Sequence, residues 1–394
     1  MKKVIVRGPA LSRSGYGEHT RFLLRSLKDN KDFDVYLLNT PWGATSWLHE
    51  DNEEREWIDS LLMKTLEAEK DEKFDLSLQV TIPNEWQRMA EKNIGITAGI
   101  ETNKISDAWL QSSRAVDKII VPSAHAKDSF LNNKKELTSP DGEKTIEITC
   151  QTPIDVVSYP FRNIKPEDLK LNLTTSFNFL TVAQISPRKN IEASLLAFLE
   201  EFQNEEDVGY VIKVSIKNNS LIDRRHTESS IKNLLESYPD RKCKVYLLHG
   251  NMSDEELAGL YTDNSIDGYL STSHGEGFGL PIFEACAYGL PVIAPNWSGY
   301  TDFTTTKAGK SKILDVDYEL REVQDQAVWD GVIEKGSEWC YVNLANVRSQ
   351  MRELYSNAET HKENANKLKE TIRKKYTTKQ QYKKMVKSIK EILK

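Results

Sequence analysis

The sequence predicts an α/β protein of two doubly wound domains of similar size, with C-terminal helices after them. Three observations lead there. Short apolar runs alternate with helical patterns almost throughout, the mark of parallel strands covered by helices. The alternation restarts after a polar stretch with two prolines, residues 156–176. A length of 394 residues suits two or three domains, each with its own core. Two such domains with facing edges would form a cleft, the usual place for a ligand.

In the first series VIVRG is a buried strand, residues 18–28 a helix and DVYLLN a second strand. DLSLQVT, IGITAGIE and KIIVPS read as further strands followed by helical stretches. Around 137–148, TSPDGEKTIEI carries turn residues and reads as a surface hairpin. In the second series FNFLTVAQI is a strand, 190–205 a helix, YVIKVSI a strand, 226–237 a helix and CKVYLLHG a strand. Residues 253–263 open on Ser253 with Glu256 three positions on, a capping-box pattern. IDGYLSTS and LPVIAPN are the next strands, and from about 342 the pattern is helical. The expected domains are 1–160 and 177–375, joined by a linker at 161–176, with a basic amphipathic helix at 376–394 that braces the N-terminal domain.

Composition narrows the class. No apolar run is long enough for a membrane span, and MKKVIVRGPA lacks the apolar core of a signal peptide, so a cytoplasmic protein is expected. Cys150, Cys243, Cys286 and Cys340 are scattered, with no C-x2-C pair, and read as reduced thiols. Net charge is −6, yet residues 373–394 carry +8 and the remainder −14. Tyr382, Met385, Val386, Ile389, Ile392 and Leu393 recur at helical spacing, so that helix docks an apolar stripe. Its basic face is either solvated or a peripheral contact with the anionic inner face of a membrane; nucleic acid is not the expected partner.

HGEGFGLPIFEACAYGLPVIAPNWSG, residues 274–299, carries the chemistry. After a strand ending at Ser273, glycines at 275, 277 and 279 let the backbone approach a ligand. Pro281 suits a helix start, so a helix begins near Leu280 with its N–H groups open to an anion. Glu276 and Glu284 then stand at the same helix end. Two carboxylates beside a phosphate site make sense if they accept sugar hydroxyls. The ligand suggested is a nucleotide sugar. Taken alone, Glu284 also fits plain complementarity to the helix dipole, and the glycines a tight loop.

GEGFGLPIFEACAYGLPVIA, with Glu276 and Glu284 spaced Glu-x7-Glu, resembles the retaining glycosyltransferases of the GT-B fold, family four. The resemblance implies two Rossmann-like domains across a cleft, no metal and no cofactor, and a UDP- or GDP-sugar type of donor as substrate. It implies that Glu276 contacts the donor sugar and Glu284 the ribose, with Gly277, Phe278, Gly279 and Leu280 along the diphosphate. VAQISPRKN, 182–190, resembles the family's strand-end motif that brings basic side chains to the phosphates: Lys189 matches its lysine. The family often has an arginine where this chain has Gln184, and Arg188 is the residue able to supply that charge. GPALSRSGYGEHTRFLL places Gly15 and Gly17 like the family's N-domain glycine loop.

Other features are weaker. Asp32-Phe33-Asp34 and Asp315-Val316-Asp317 match a metal-binding pair of another glycosyltransferase class, but the first precedes a strand on the wrong edge. Glu101, at the end of IGITAGIE, and His125 are candidates beside the transferred sugar or acceptor. Trp42 and Trp47, in NTPWGATSW, form a candidate acceptor loop, since aromatic rings stack on sugars. The function expected is transfer of a hexose-type sugar to a hydroxyl acceptor, a glycan, lipid-linked or small molecule. The alternatives are a nucleotide-sugar epimerase on the same fold and a non-catalytic sugar-nucleotide or glycan-binding module.

Overall fold

The computed structural model describes residues 1–68, 72–138 and 145–393. The chain forms two compact units. The first comprises Met1–Pro160, Glu322–Glu338 and Thr378–Lys394, and the second Phe161–Arg321 and Trp339–Thr377. Glu322–Glu338, part of the span expected as the C-terminal domain, therefore groups with the first unit.

The first unit runs β1 (Lys2–Gly8), α1 (Gly15–Leu27), β2 (Phe33–Asn39), α2 (Glu53–Glu67), β3 (Leu76–Val80), β4 (Lys92–Ile96), α3 (Asp107–Ser112), β5 (Lys118–Val121), α4 (Ala124–Asn132), β6 (Lys135–Thr138), β7 (Thr145–Ile148) and β8 (Ile154–Val156). Its sheet has the order β2-β1-β3-β4-β5-β8, and every pairing is parallel. The central strands are buried on both sides, as their unbroken apolar runs require. The expected surface hairpin is the antiparallel pair β6–β7, with Lys135 opposite Ile148; its residues 139–144 lie outside the described ones.

Helix α1 begins three residues before the expected position. Ser14 is extended and its hydroxyl accepts from the Gly17 N–H, so it caps the helix and draws Gly15 and Gly17 into the first turn. Gly17 is needed there for close approach: a Cβ would lie 1.9 Å from the Ser12 carbonyl oxygen.

His19, one turn further, is fully buried between the rings of Phe22 and Tyr159, and neither ring nitrogen has a partner among the described residues. Burial lowers its pKa to about 3, so it is neutral in the folded protein. The unfolded chain takes up that proton near pH 6.5, so stability falls as pH drops below about 6.5 and is insensitive to this group above it. Half-buried His125, lowered to about 4 by desolvation, acts in the same direction. His19→Phe is expected to flatten the fall of the thermal unfolding midpoint between about pH 6.5 and 5. Differential scanning fluorimetry at constant ionic strength measures this, and an unchanged slope would contradict it.

The second unit runs β9 (Phe177–Gln184), α5 (Ile191–Phe202), β10 (Val208–Ser215), α6 (Leu221–Leu235), β11 (Lys244–Leu248), α7 (Asp254–Thr262), β12 (Gly268–Leu270), α8 (Leu280–Tyr288), β13 (Val292–Pro295), α9 (Thr301–Thr304), β14 (Leu314–Val316), β15 (Tyr318–Glu322), β16 (Glu338–Val342), α10 (Leu344–Ser356) and α11 (Ala358–Lys375). Its parallel sheet has the order β11-β10-β9-β12-β13-β14. Phe179, Phe198, Phe202 and Tyr210 pack with Val347, Met351 and Leu354 of α10 in its core. The capping box at Ser253 and Glu256 forms as expected. Helix α6 starts at Leu221 rather than 226, because Ser220 caps it. The Asp223 carboxylate in its first turn accepts from the N–H groups of Ile216, Lys217 and Asn218 and pairs with His249 at 2.8 Å.

The basic C-terminal segment folds as α12 (Thr378–Glu391) in the first unit. Met385 and Ile389 are buried, and Tyr382 meets Phe22 of α1 at 5.9 Å. Lys118 of β5 is bound by Asp155 at 2.8 Å, Glu391 at 2.7 Å and the Ser388 carbonyl at 3.1 Å. Lys379, Lys383, Lys384 and Lys387 occupy the exposed face. Among the described residues no helix is long and apolar enough to cross a membrane. The four cysteines are buried and free.

Candidate functional site

The order of the second sheet sets the place of the site. From β9 the chain continues outward to β10 and β11, whereas its other neighbour β12 continues to β13 and β14 on the opposite side. The loops that leave the C-terminal ends of β9 and β12 therefore part company at a topological switch point, where doubly wound sheets bind ligands. They are cross-tied: the His274 N–H donates to the Arg188 carbonyl at 2.8 Å, and the Thr272 hydroxyl to the Asn190 carbonyl at 2.7 Å.

Between these loops lies Glu276, only 7% exposed. Lys189 Nζ approaches Oε1 at 2.5 Å, Arg188 Nη1 approaches Oε2 at 3.0 Å, and the Ser273 hydroxyl donates to Oε1 at 2.8 Å. Arg188 also donates to the Gly275 carbonyl at 2.8 Å. Burial pushes the Glu276 carboxyl upward, but the two cations outweigh it and hold the group at about 2. The carboxylate is charged, and each of its oxygens meets a cation. Gln184, where a further cation was sought, points its amide to the Ile216 carbonyl instead.

The main chain of Glu276 is held from a third side. Its N–H donates to the Ser298 hydroxyl at 3.0 Å, and the Gly299 N–H donates to its carbonyl at 2.8 Å. Ser298 adopts φ +73°, a left-handed conformation that is strained for a side-chain-bearing residue. Gly299 has no room for a side chain, since a Cβ would sit 2.1 Å from the Gly277 carbonyl oxygen. His274 is stacked at 4.9 Å on Trp339, with its Nδ1 2.5 Å from the Cys340 carbonyl oxygen. Burial, eased by that carbonyl, lowers its pKa, as do Arg321 and Arg188, and this favours the neutral ring.

Gly279, at φ +83°, is the N-cap of α8, and no side chain caps this helix. The N–H groups of Gly279 and Leu280 have no acceptor among the described residues. A helix N-terminus with open N–H groups carries partial positive charge and suits an anion. Glu284, one turn in, is half-buried. Burial first, then the charge of Glu284, raises the Tyr261 hydroxyl well above its ordinary value.

Glu276, Arg188 and Lys189 thus come together at the switch point, with Gly277, Phe278, Gly279 and Leu280 on the connecting loop and Glu284 on the helix that follows. Gly15, Gly17, Trp42, Trp47, Glu101 and His125 belong to the first unit. There Trp42 stacks on Tyr16 at 4.1 Å, while Trp47 is 49% exposed and its backbone bridges Ser12. Asp34 pairs with Lys64 and Asp32 with Lys390, which occupies both as ion-pair partners. Among the described residues no group of three His, Cys, Asp or Glu is placed to hold a metal. The residues that sequence reading missed are Ser273, Ser298, Gly299 and Cys340. Only NWSG, directly after a strand, carried a local signal for any of them.

Two Rossmann-like parallel-sheet units with C-terminal helices make up the GT-B fold, the fold of the glycosyltransferases that this chain resembles. Residues 164–312 match the family described as Glycosyl transferases group 1, and that stretch holds Arg188, Lys189, Glu276 and Glu284. A serotype-specific mannosyltransferase WbdA of Escherichia coli is 34% identical over 116 residues, 29% of this chain and 13% of that protein. Another WbdA is 28% identical over 202 residues, 50% of this chain and 23% of that protein. The chain thus spans less than a quarter of the length of these curated relatives. Sucrose-phosphate synthase from Thermosynechococcus elongatus superposes with a TM-score of 0.63 at 15% identity, covering 100% of this chain and 99% of that one. Anabaena Alr3699/HepE in complex with UDP-glucose gives a TM-score of 0.63 at 12% identity, covering 99% and 100%. At such identities the likeness concerns the fold.

Proposed function

We propose that the chain is a retaining hexosyltransferase that moves a sugar from a nucleotide diphosphate donor to a hydroxyl acceptor. The observation that carries this reading is Glu276, charged and held between Arg188 and Lys189 beside the open N-terminus of α8. The diphosphate is drawn by the two cations and the N–H groups of Gly279 and Leu280, and these stabilise the negative charge that develops as the sugar departs. Glu276 accepts hydroxyls of the donor sugar and Glu284 those of the ribose. Among the described residues this constellation offers no side-chain nucleophile free of partners, which fits attack on the same face as departure. The leaving diphosphate oxygen then takes the proton of the acceptor hydroxyl. Cationic side chains and helix N–H groups do what a divalent ion does elsewhere, so the reaction runs without metal.

The named relatives support a hexose donor: WbdA is a mannosyltransferase, and the Anabaena protein was solved with UDP-glucose. Glu101, His125, Trp42 and Trp47 of the first unit are assigned to the acceptor side. The exposed lysines of α12 suit peripheral contact with an anionic membrane, and the buried free thiols suit the cytoplasm.

The test is a screen of UDP-, GDP-, ADP- and dTDP-sugars in the presence of EDTA, read by thermal shift, with wild type beside Glu284→Ala. One donor is expected to stabilise the wild type, and Glu284→Ala to weaken it by about tenfold, the value of a charge-assisted hydrogen bond to ribose. Stabilisation of neither protein by any donor would refute the reading.

A further inference from the structure

Among the described residues two tryptophans are exposed, Trp47 at 49% and Trp329 at 57%, and both belong to the first unit. Trp329 has no role in the site described above. Its backbone is fixed: its N–H donates to the Ile333 carbonyl at 3.0 Å, and its own carbonyl accepts from Val332 and Ile333 at 2.8 Å each. Gly331, at φ +76°, closes this turn. Among the described residues, by contrast, the ring stacks on no other ring and its indole N–H has no acceptor. A large apolar ring held out to solvent on a pinned turn is pre-organised for a ligand.

The turn is anchored to a second loop of the first unit. The Ser106 hydroxyl donates to the Gly331 carbonyl at 2.9 Å. Asn103 and Glu338 exchange backbone and side-chain hydrogen bonds, each at 2.9 Å. This is the loop that leaves the C-terminal end of β4 and carries Glu101. Trp47 is tied in the same way to the loop leaving β1, since the Arg13 N–H donates to the Ser46 carbonyl and the Leu48 N–H to the Leu11 carbonyl, each at 2.8 Å. Both exposed indoles are thus fastened to loops at the C-terminal edge of one sheet.

The surroundings of Trp329 select its occupant. Residues 322–338 contain Glu322, Asp325, Asp330, Glu334 and Glu338 against the single cation Lys335. Such a segment repels an anionic membrane or a nucleic acid. One ring next to exposed Asp330 is also too small an apolar patch for a stable protein interface. A sugar ring matches it: its C–H face lies on the indole, and its hydroxyls donate to neighbouring carboxylates.

We propose that Trp329 is a carbohydrate-stacking subsite that holds a non-reacting ring of an oligosaccharide acceptor. This rests on the glycosyltransferase reading and narrows its acceptor to a chain of at least two sugar rings, because the ring held at Trp329 is not the one that reacts.

The experiment titrates wild type, Trp329→Ala and Trp329→Phe with linear gluco-, manno- and galacto-oligosaccharides of one to six rings, followed by intrinsic fluorescence. Thermal shifts with UDP, GDP, ADP and dTDP run in parallel. For at least one series, affinity is expected to rise with ring number in the wild type. Trp329→Ala should lose about tenfold of that gain and Trp329→Phe less, with nucleotide shifts unchanged in all three. A length dependence unchanged in Trp329→Ala, or no binding of any series to the wild type, would overturn the subsite while nucleotide binding keeps the donor reading intact. Absence of all four nucleotide shifts in the wild type would overturn the donor reading and this inference with it.

Discussion

Replacing Glu276 with glutamine is expected to cut sugar transfer by about tenfold to a hundredfold while tightening the binding of the free nucleoside diphosphate. The opposite signs follow from one geometry. Without donor, the carboxylate itself satisfies Lys189 and Arg188, at 2.5 and 3.0 Å. A diphosphate seeking those cations competes with it. Glutamine keeps the shape but removes the competing charge, so the anion binds better. The same substitution deprives the donor sugar of a charged acceptor for its hydroxyls, and transfer suffers. Binding of UDP and GDP by calorimetry, set beside nucleotide release from the sugar donor, separates the two effects. Weaker diphosphate binding by Glu276→Gln would show that the carboxylate does not stand in for the phosphate.

Lys189→Met should have the larger structural effect. It leaves a buried carboxylate with one cation instead of two, and breaking such a pair costs about 3 kcal/mol of stability. It also removes charge stabilisation from the leaving group, worth about a hundredfold in rate. The Glu276 carboxyl, held at about 2 by Arg188 and Lys189 together, moves back up when one is lost. Adding Glu276→Gln to Lys189→Met should restore part of the lost stability, because the uncompensated charge goes with it, but none of the activity. The measurement is a double-mutant cycle on urea unfolding, with transfer assayed on the same proteins. Additive losses of stability would mean that the ion pair is energetically idle.

How far the sequence foretold this molecule depended on the range of the forces involved. Runs such as FNFLTVAQI and the capping box at Ser253 announce themselves because strand burial and helix capping are local. The glycine loop and the start of α8 were legible for the same reason, and so was the spacing of Glu276 and Glu284. The first turn of α1 was misplaced because Ser14, three residues before Gly17, outweighs the helix-breaking tendency of two glycines. The supports of Glu276 were hidden for a different reason. Ser298 acts from 22 residues away and Cys340 reaches His274 across 66, and neither separation leaves a periodic trace. Trp329 was invisible as a site because exposure, the property that matters, is fixed by the folding of residues 322–338 onto the loop after β4.

The most direct test of the central claim is release of nucleoside diphosphate from a panel of UDP-, GDP-, ADP- and dTDP-hexoses by wild type and Glu276→Gln, in EDTA. The account predicts that the wild type cleaves one donor class without metal and that Glu276→Gln cleaves it at least tenfold more slowly while still binding the nucleotide. Equal cleavage by the two proteins, or none by the wild type, would contradict it.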